Sequence, residues 1–96
     1  MIIAVDFDGT IQLPNKEPNL RLISVLTARQ RQGAKVILWT CRCGDSLGQA
    51  VRFCMKHGFR PDLVNQNHPA VIQRFGYDPR KVFADLYIDD KGEKPW

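Results

Sequence analysis

Cysteine is scarce in this chain and odd in number: Cys41, Cys43 and Cys54 are the only three among 96 residues. A secreted domain held by disulfides carries an even set, so these are expected to be reduced thiols. Cys41 and Cys43 lie two apart, which matches neither a Cys-x-x-Cys redox pair nor a zinc knuckle, and a zinc site completed by His57 or His68 is not expected. Long apolar runs are also missing. The longest is Met1 to Val5, ended by Asp6, too short for a membrane span and without the pattern of a signal peptide. No phosphate-binding P-loop pattern occurs. Counted from Cys41 and Cys43, the arginine of a Cys-x5-Arg loop would fall at positions 47 and 49, which hold Leu47 and Gln49. What remains is a soluble, cytoplasmic protein of ordinary globular composition, 44% hydrophobic and 25% charged. Residues 1–96 are expected to form one domain. A chain of this size buries about 60–65% of its unfolded surface, which leaves no room for a separate lid domain.

The net charge of +4 hides an asymmetry. Fourteen basic residues face ten acidic ones, and four of the ten are the clustered Asp6, Asp8, Asp89 and Asp90. Setting those aside leaves six acids and an excess of eight positive charges on the remaining surface. Such an excess attracts anions, phosphorylated ligands and nucleic acid among them. The basic residues are spread from Lys16 to Lys94 without one dense block, so solvated helix faces account for them equally well.

The chain alternates strand and helix patterns. Ile2 to Val5 reads as a strand buried on both faces, ending in Asp6-Phe7-Asp8 and the breaker Gly9. Thr10 to Pro18, with two prolines, reads as a loop or small flap. Asn19 is a candidate N-cap for a helix with Leu20, Ile23, Leu26 and Thr27 inward, stopped by Gly33. A second strand, Val36 to Trp39, closes at Thr40. Asp45 or Ser46 is the expected cap of a second helix with Leu47, Val51, Cys54 and Met55 inward, and Gly58 its stop. Asp62-Leu63-Val64 reads as a third strand, followed by the polar loop 65–69. Val71, Ile72 and Phe75 suggest a short helix before Gly76, and Val82 through Ile88 a fourth strand. Strands separated by helices imply a three-layer α/β/α sandwich on a small, mostly parallel, Rossmann-like sheet of about four strands.

Ligands of open parallel sheets bind at the carboxyl ends of the strands. Three polar signals sit at such ends. Asp6 and Asp8, at i and i+2, leave the same face of the first strand. Thr40 follows the second strand, and Asp89 and Asp90 the fourth. If the first and fourth strands are neighbours, up to four carboxylates crowd one small volume. Like charges that close cannot all stay ionised without a cation. A hard divalent ion, most naturally Mg²⁺, relieves the repulsion and brings its own affinity for phosphate.

The segment DFDGT at 6–10 behind the apolar IIAV resembles the first motif of the haloacid-dehalogenase-like (HAD) phosphohydrolase superfamily. Thr40 behind VILW resembles its second motif, and Asp89-Asp90 behind LYI its fourth. The three stand in the family's order from Asp6 to Asp90, each ending an apolar strand. The resemblance implies Asp6 as nucleophile forming an aspartyl-phosphate. It implies Asp8 as the acid that protonates the leaving oxygen and then deprotonates water. Thr40 and a lysine would hold the phosphoryl oxygens. Mg²⁺, or Mn²⁺ in its place, would be bound by Asp6, the backbone carbonyl of Asp8 and Asp89, with Asp90 a ligand or outer partner. The lysine expected shortly before the fourth motif is Lys81, with Arg80 and Lys91 as rivals. Thr10, Cys41 and Arg42 are the candidate substrate-binding residues. Arg42, two residues past Thr40, either clamps a substrate phosphate or is a plain surface arginine.

The segment between first motif and first helix is about ten residues, too short for the cap domain many relatives carry, and the further strand that many relatives carry beyond the fourth motif is not expected. Capless relatives accept bulky substrates or cover the site through oligomers, so a polymer end, nucleic acid and a second subunit all stay open as partners. The expected function is a Mg²⁺-dependent phosphomonoester hydrolase. The alternatives are a polynucleotide-end phosphatase and a catalytically weak domain that binds a phosphorylated or nucleic-acid partner. A response-regulator receiver also uses Asp, Thr and Lys at strand ends, but places its phosphoacceptor on a later strand. His57 and His68 are assigned to helix-end and loop roles, Asn65 and Asn67 to an Asx turn, Trp39 to the core, and Trp96 to a frayed end or an interface.

Overall fold

The computed structural model describes residues 1–78 and 82–91. Four strands, β1 (Ile2–Val5), β2 (Lys35–Leu38), β3 (Leu63–Val64) and β4 (Leu86–Ile88), alternate with three helices, α1 (Leu20–Arg31), α2 (Gly44–Lys56) and α3 (Pro69–Phe75). The strands form one sheet in the order β3-β2-β1-β4, and all three pairings are parallel. The chain is thus a small Rossmann-like α/β domain.

β1 lies between two neighbours and is covered on both faces, with Ile3, Ala4 and Val5 all buried. This is why its sequence is apolar without alternation. Ile3 and Val5, with Val36 and Leu38 of β2, pack against Leu22, Ile23 and Leu26 of α1 and Ala50 and Cys54 of α2. Ala4 and Ile37 face the other way, where Val82, Trp39 and Ala84 cover them. That second layer is thin: α3 buries no residue and touches the 82–84 segment through the Phe75–Phe83 ring pair, 5.0 Å between centroids.

The order explains the layering. β1 to β2 to β3 steps in one direction, then the chain returns past β1 to place β4. Parallel connections keep one hand, so reversing direction moves the connecting helix to the opposite face. β1 and β4 therefore flank the topological switch point, where a crevice opens.

Several local expectations are corrected. In α1 the inward residues are Leu22, Ile23 and Leu26, whereas Leu20 is 62% exposed and Thr27 only half-buried. Asn19 sets this phase: its Oδ1 accepts the Leu22 amide at 3.2 Å while its Nδ2 donates to the Thr10 carbonyl at 3.1 Å. α2 is not capped by Asp45 or Ser46. Cys43 is its N-cap, without a side-chain cap bond, and Asp45 lies in the first turn, where its charge suits the helix dipole. Met55 faces out, since the buried stripe runs through Ala50 and Cys54. β2 begins at Lys35 and ends at Leu38. β3 is shorter than read, spanning Leu63–Val64; Asp62 ahead of it still binds β2, its amide donating to the Val36 carbonyl at 2.9 Å while its Oδ2 accepts the Val36 amide at 2.8 Å and Gln30 Nε2 at 3.0 Å.

β4 starts at Leu86 rather than Val82. The Phe83 and Ala84 amides are taken by side chains, Asn67 Oδ1 accepting from Phe83 at 2.7 Å and Tyr87 Oη from Ala84 at 3.0 Å. Tyr87 Oη also donates to the Val82 carbonyl at 2.8 Å. Asn67 is therefore no turn former. It is fully buried, and its Nδ2 donates to Asp78 at 2.9 Å. His57 does end α2, and His68 caps α3, its Nδ1 accepting the Ala70 amide at 3.1 Å.

Candidate functional site

β1 and β4 deliver two carboxylates side by side. Their register pairs Val5 with Ile88, and the Asp6 amide donates to the Ile88 carbonyl at 2.9 Å. The next residues along the two strands are Asp6 and Asp89. They open into a crevice of about 250 Å³ that Trp39, Thr40, Cys41 and Tyr87 help to line. This is slightly under the ~300–1,000 Å³ of a pocket that engulfs a whole small ligand, so it suits the head group of something larger. Trp39 is half-buried, part core as expected and part crevice wall.

Asp6 is half-buried, and its Oδ1 accepts the Phe7 amide at 2.8 Å. Burial pushes its carboxyl above the usual range; the Phe7 bond opposes this, and the charges of Asp8, Asp90 and Asp89 add to the rise. Asp6 thus feels the charges of residues 8, 89 and 90, as expected from the sequence if β1 and β4 are neighbours. Gly9 completes the turn after β1. It adopts φ +77°, a region costly for other residues, and the Asp90 carboxylate lies against its open side, with Oδ2 3.7 Å from where a Cβ would stand. Asp89 Oδ1 accepts the Lys91 amide at 2.9 Å.

Asp8 points to a different partner. Arg42 grips it with both arms of its fork, Nη2 to Oδ1 at 2.8 Å and Nε to Oδ2 at 3.0 Å. Hydrogen bonding to Arg42 holds the Asp8 carboxyl below its usual range; burial opposes this, and the charges of Arg42 and Lys16 reinforce it. The Arg42 guanidinium lies 4.8 Å over the Phe7 ring, and its Nη1 donates to the Ser46 carbonyl at 3.3 Å. Arg42 is therefore neither a free surface arginine nor an unengaged phosphate clamp.

Thr40 is fixed from two sides. Its amide donates to Asn65 Oδ1 at 2.8 Å, and its Oγ1 accepts the Arg42 amide at 3.2 Å. A hydroxyl that accepts from behind keeps its proton for an oxygen in the crevice. Asn65 sits at φ +52°, a conformation asparagine tolerates better than most residues. It holds Thr40 instead of forming the expected Asx turn. Its only signal in the sequence is a polar residue directly after a strand.

Cys41 is exposed and lines the crevice. Thr10 is 1% exposed, and its Oγ1 has no hydrogen-bond partner among the described residues. The expected flap is real but small, held by bridges from Gln12 to Asp8 and to Pro18. Lys81 and its rival Arg80 lie outside the described residues, as does Trp96. Cys54 is fully buried, and burial pushes its thiol up to about 12. All three cysteines are free, as expected.

Among the described residues, no group of three or more His, Cys, Asp or Glu side chains is placed to hold a metal ion. The Asp8 carboxylate is committed to Arg42, so a four-carboxylate cage is not formed. Asp6 and Asp89, with the Asp8 carbonyl as the third donor that the resemblance implies, make a smaller set of hard oxygens. Mg²⁺, which keeps several waters and uses one or two carboxylates, fits that set.

A pH dependence follows. The raised Asp6 carboxyl favours the fold while protonated, a contribution lost as pH rises through its folded value. The lowered Asp8 carboxyl favours the fold above its unfolded value, and that contribution is lost as pH falls through the folded one. A cation that neutralises Asp6 should therefore raise the melting temperature clearly at about pH 7.5 and little at about pH 4, where protons compete. Thermal melts with and without millimolar MgCl₂ check this; an equal shift at both pH values would contradict it.

The fold and crevice define a class: a parallel α/β domain with an aspartate pair at its switch point. One solved structure of the same architecture, described as the structure of a conserved protein coded by a locus from Bacteroides thetaiotaomicron, superposes with a TM-score of 0.78 at 35% identity, over 96% of this chain and 77% of that one. The chain belongs to the family of that conserved protein. No family model and no curated protein matches the sequence. Among the described residues, no helix is long and apolar enough to cross a membrane.

Proposed function

We propose that the chain is a HAD-like, Mg²⁺-dependent phosphomonoester hydrolase. The observation that carries this reading is the pairing of Asp6 with Asp89 at the β1–β4 switch point, with Thr40 on the same crevice. An Asp6 oxygen attacks phosphorus, the bond to the leaving oxygen breaks, and Asp8, which must carry a proton for this step against the pull of Arg42, gives it to that oxygen. Asp8 then takes a proton from water, which attacks the same phosphorus. Inorganic phosphate departs and the Asp6 carboxylate is restored. The Thr40 hydroxyl donates to a phosphoryl oxygen as charge builds there. Asp6, Asp89 and the Asp8 carbonyl would hold Mg²⁺, with Asp90 close by. When bound, the ion supplies charge neutralisation for the phosphoryl oxygens. Lys81 is assigned the second cationic contact on sequence position alone.

The expected result is hydrolysis of p-nitrophenyl phosphate with MgCl₂, abolished by EDTA and by Asp6→Asn. No turnover, together with a salt-sensitive mobility shift of an oligonucleotide, would instead favour a domain that binds nucleic acid without catalysis.

A further inference from the structure

We propose that Arg42 is the positioning residue for Asp8, and that its side chain holds the acid in place rather than binding the substrate's phosphate. The inference rests on the phosphohydrolase reading above. Asp8 follows the end of β1 on a turn and its side chain is 55% exposed. An exposed carboxylate with no partner samples several rotamers, and only some put its oxygens within reach of a leaving group. Arg42 removes that freedom. Its fork engages both carboxylate oxygens, a bidentate geometry that fixes the plane of the carboxylate as well as its position. Each oxygen keeps a further lone pair for proton transfer.

Arg42 is itself immobilised on three sides. One face rests on Phe7, which is 1% exposed and packed edge-to-face on Phe53 at 5.5 Å. Its Nη1 is tied to the first turn of α2 through the Ser46 carbonyl. Its own amide donates to Thr40 Oγ1, so the residue that orients Asp8 through its side chain orients Thr40 through its backbone. Three of the five guanidinium N–H groups are engaged, two by Asp8 and one by the Ser46 carbonyl. A clamp that turned the whole fork onto a phosphate would release Asp8.

The two roles separate by leaving group. A well-placed acid matters most when the leaving oxygen is a strong base, and a phosphate clamp serves every ester alike. Steady-state kinetics with MgCl₂ should compare wild type, Arg42→Lys and Arg42→Met on p-nitrophenyl phosphate and on an alkyl phosphate such as glycerol phosphate. For Arg42→Met, kcat/KM should fall at least about tenfold further on the alkyl ester than on the aryl ester. Kd for inorganic phosphate, measured by calorimetry, should move less than about threefold. Arg42→Lys, which keeps a charge but not the fork, should be intermediate. Equal losses on both esters with a weakened phosphate Kd would overturn the proposal in favour of a clamp. The contact has its own test. In thermal unfolding, Arg42→Met and Asp8→Asn should be less than additive in the double variant, and strict additivity would overturn the proposal whatever the kinetics. If wild type hydrolyses neither ester, the phosphohydrolase reading fails and this inference falls with it, although the coupling would still report the ion pair.

Discussion

Asp6→Asn should reduce phosphatase turnover by at least roughly 10⁴-fold while leaving a folded protein. The substitution keeps the size of the side chain and an oxygen able to accept the Phe7 amide at Oδ1. It removes the anion that attacks phosphorus. It also removes the like-charge strain with Asp8, Asp89 and Asp90 that helps to raise Asp6, so the melting temperature without metal should hold or rise. A fall in activity caused by unfolding would instead be accompanied by a lower melting temperature. Steady-state turnover and a melting curve on the same preparation distinguish the two. An Asp6→Asn variant within about tenfold of wild type would remove Asp6 from the chemistry.

Phe7→Ala should cost about 3–5 kcal/mol of folding stability, the usual range for emptying a buried phenylalanine site. Phe7 is 1% exposed and belongs to the main core cluster. It is also the seat of the Arg42 guanidinium. In a domain of this size that loss corresponds to a melting-temperature drop of roughly 12–40 °C, and it is a large share of the ~5–15 kcal/mol available to a native protein. Urea unfolding with an unchanged m-value checks it. Phe7→Leu, which keeps most of the volume, should cost well under half as much. A loss below about 1 kcal/mol for the alanine variant would mean that the residue between the two motif aspartates is not a structural keystone.

How much could be read in advance follows from what each signal depends on. β1 was legible to the residue, because a strand buried on both faces leaves an unbroken apolar run with a polar stop. The meeting of Asp6 with Asp89 was legible as a condition: the alternating pattern implied a parallel sheet, and the β3-β2-β1-β4 order met the condition by making β1 and β4 neighbours. Side-chain partnerships across long stretches of sequence were not legible. Arg42 and Asp8 are 34 residues apart and Asn65 and Thr40 are 25 apart, and nothing in local spacing selects these pairs over other polar residues at strand ends. The length of β4 failed for a related reason. Its apolar run from Val82 looks continuous, yet Asn67 and Tyr87 take the amides that a longer strand would have given to the ladder. Helix phase failed at Leu20, where the Asn19 cap sets which neighbouring apolar side chains turn inward, and at Met55, which lies off the buried Ala50–Cys54 stripe.

A crystal structure with MgCl₂ and beryllofluoride bears most directly on the assignment of Asp6 as the phosphoryl acceptor. The fluoride complex, a tetrahedral mimic of a bound phosphoryl group, should be joined to an Asp6 carboxylate oxygen, with the cation between Asp6 and Asp89 and the Thr40 hydroxyl on a fluorine. Beryllofluoride bound away from Asp6, or a cation seated elsewhere in the fold, would contradict the account.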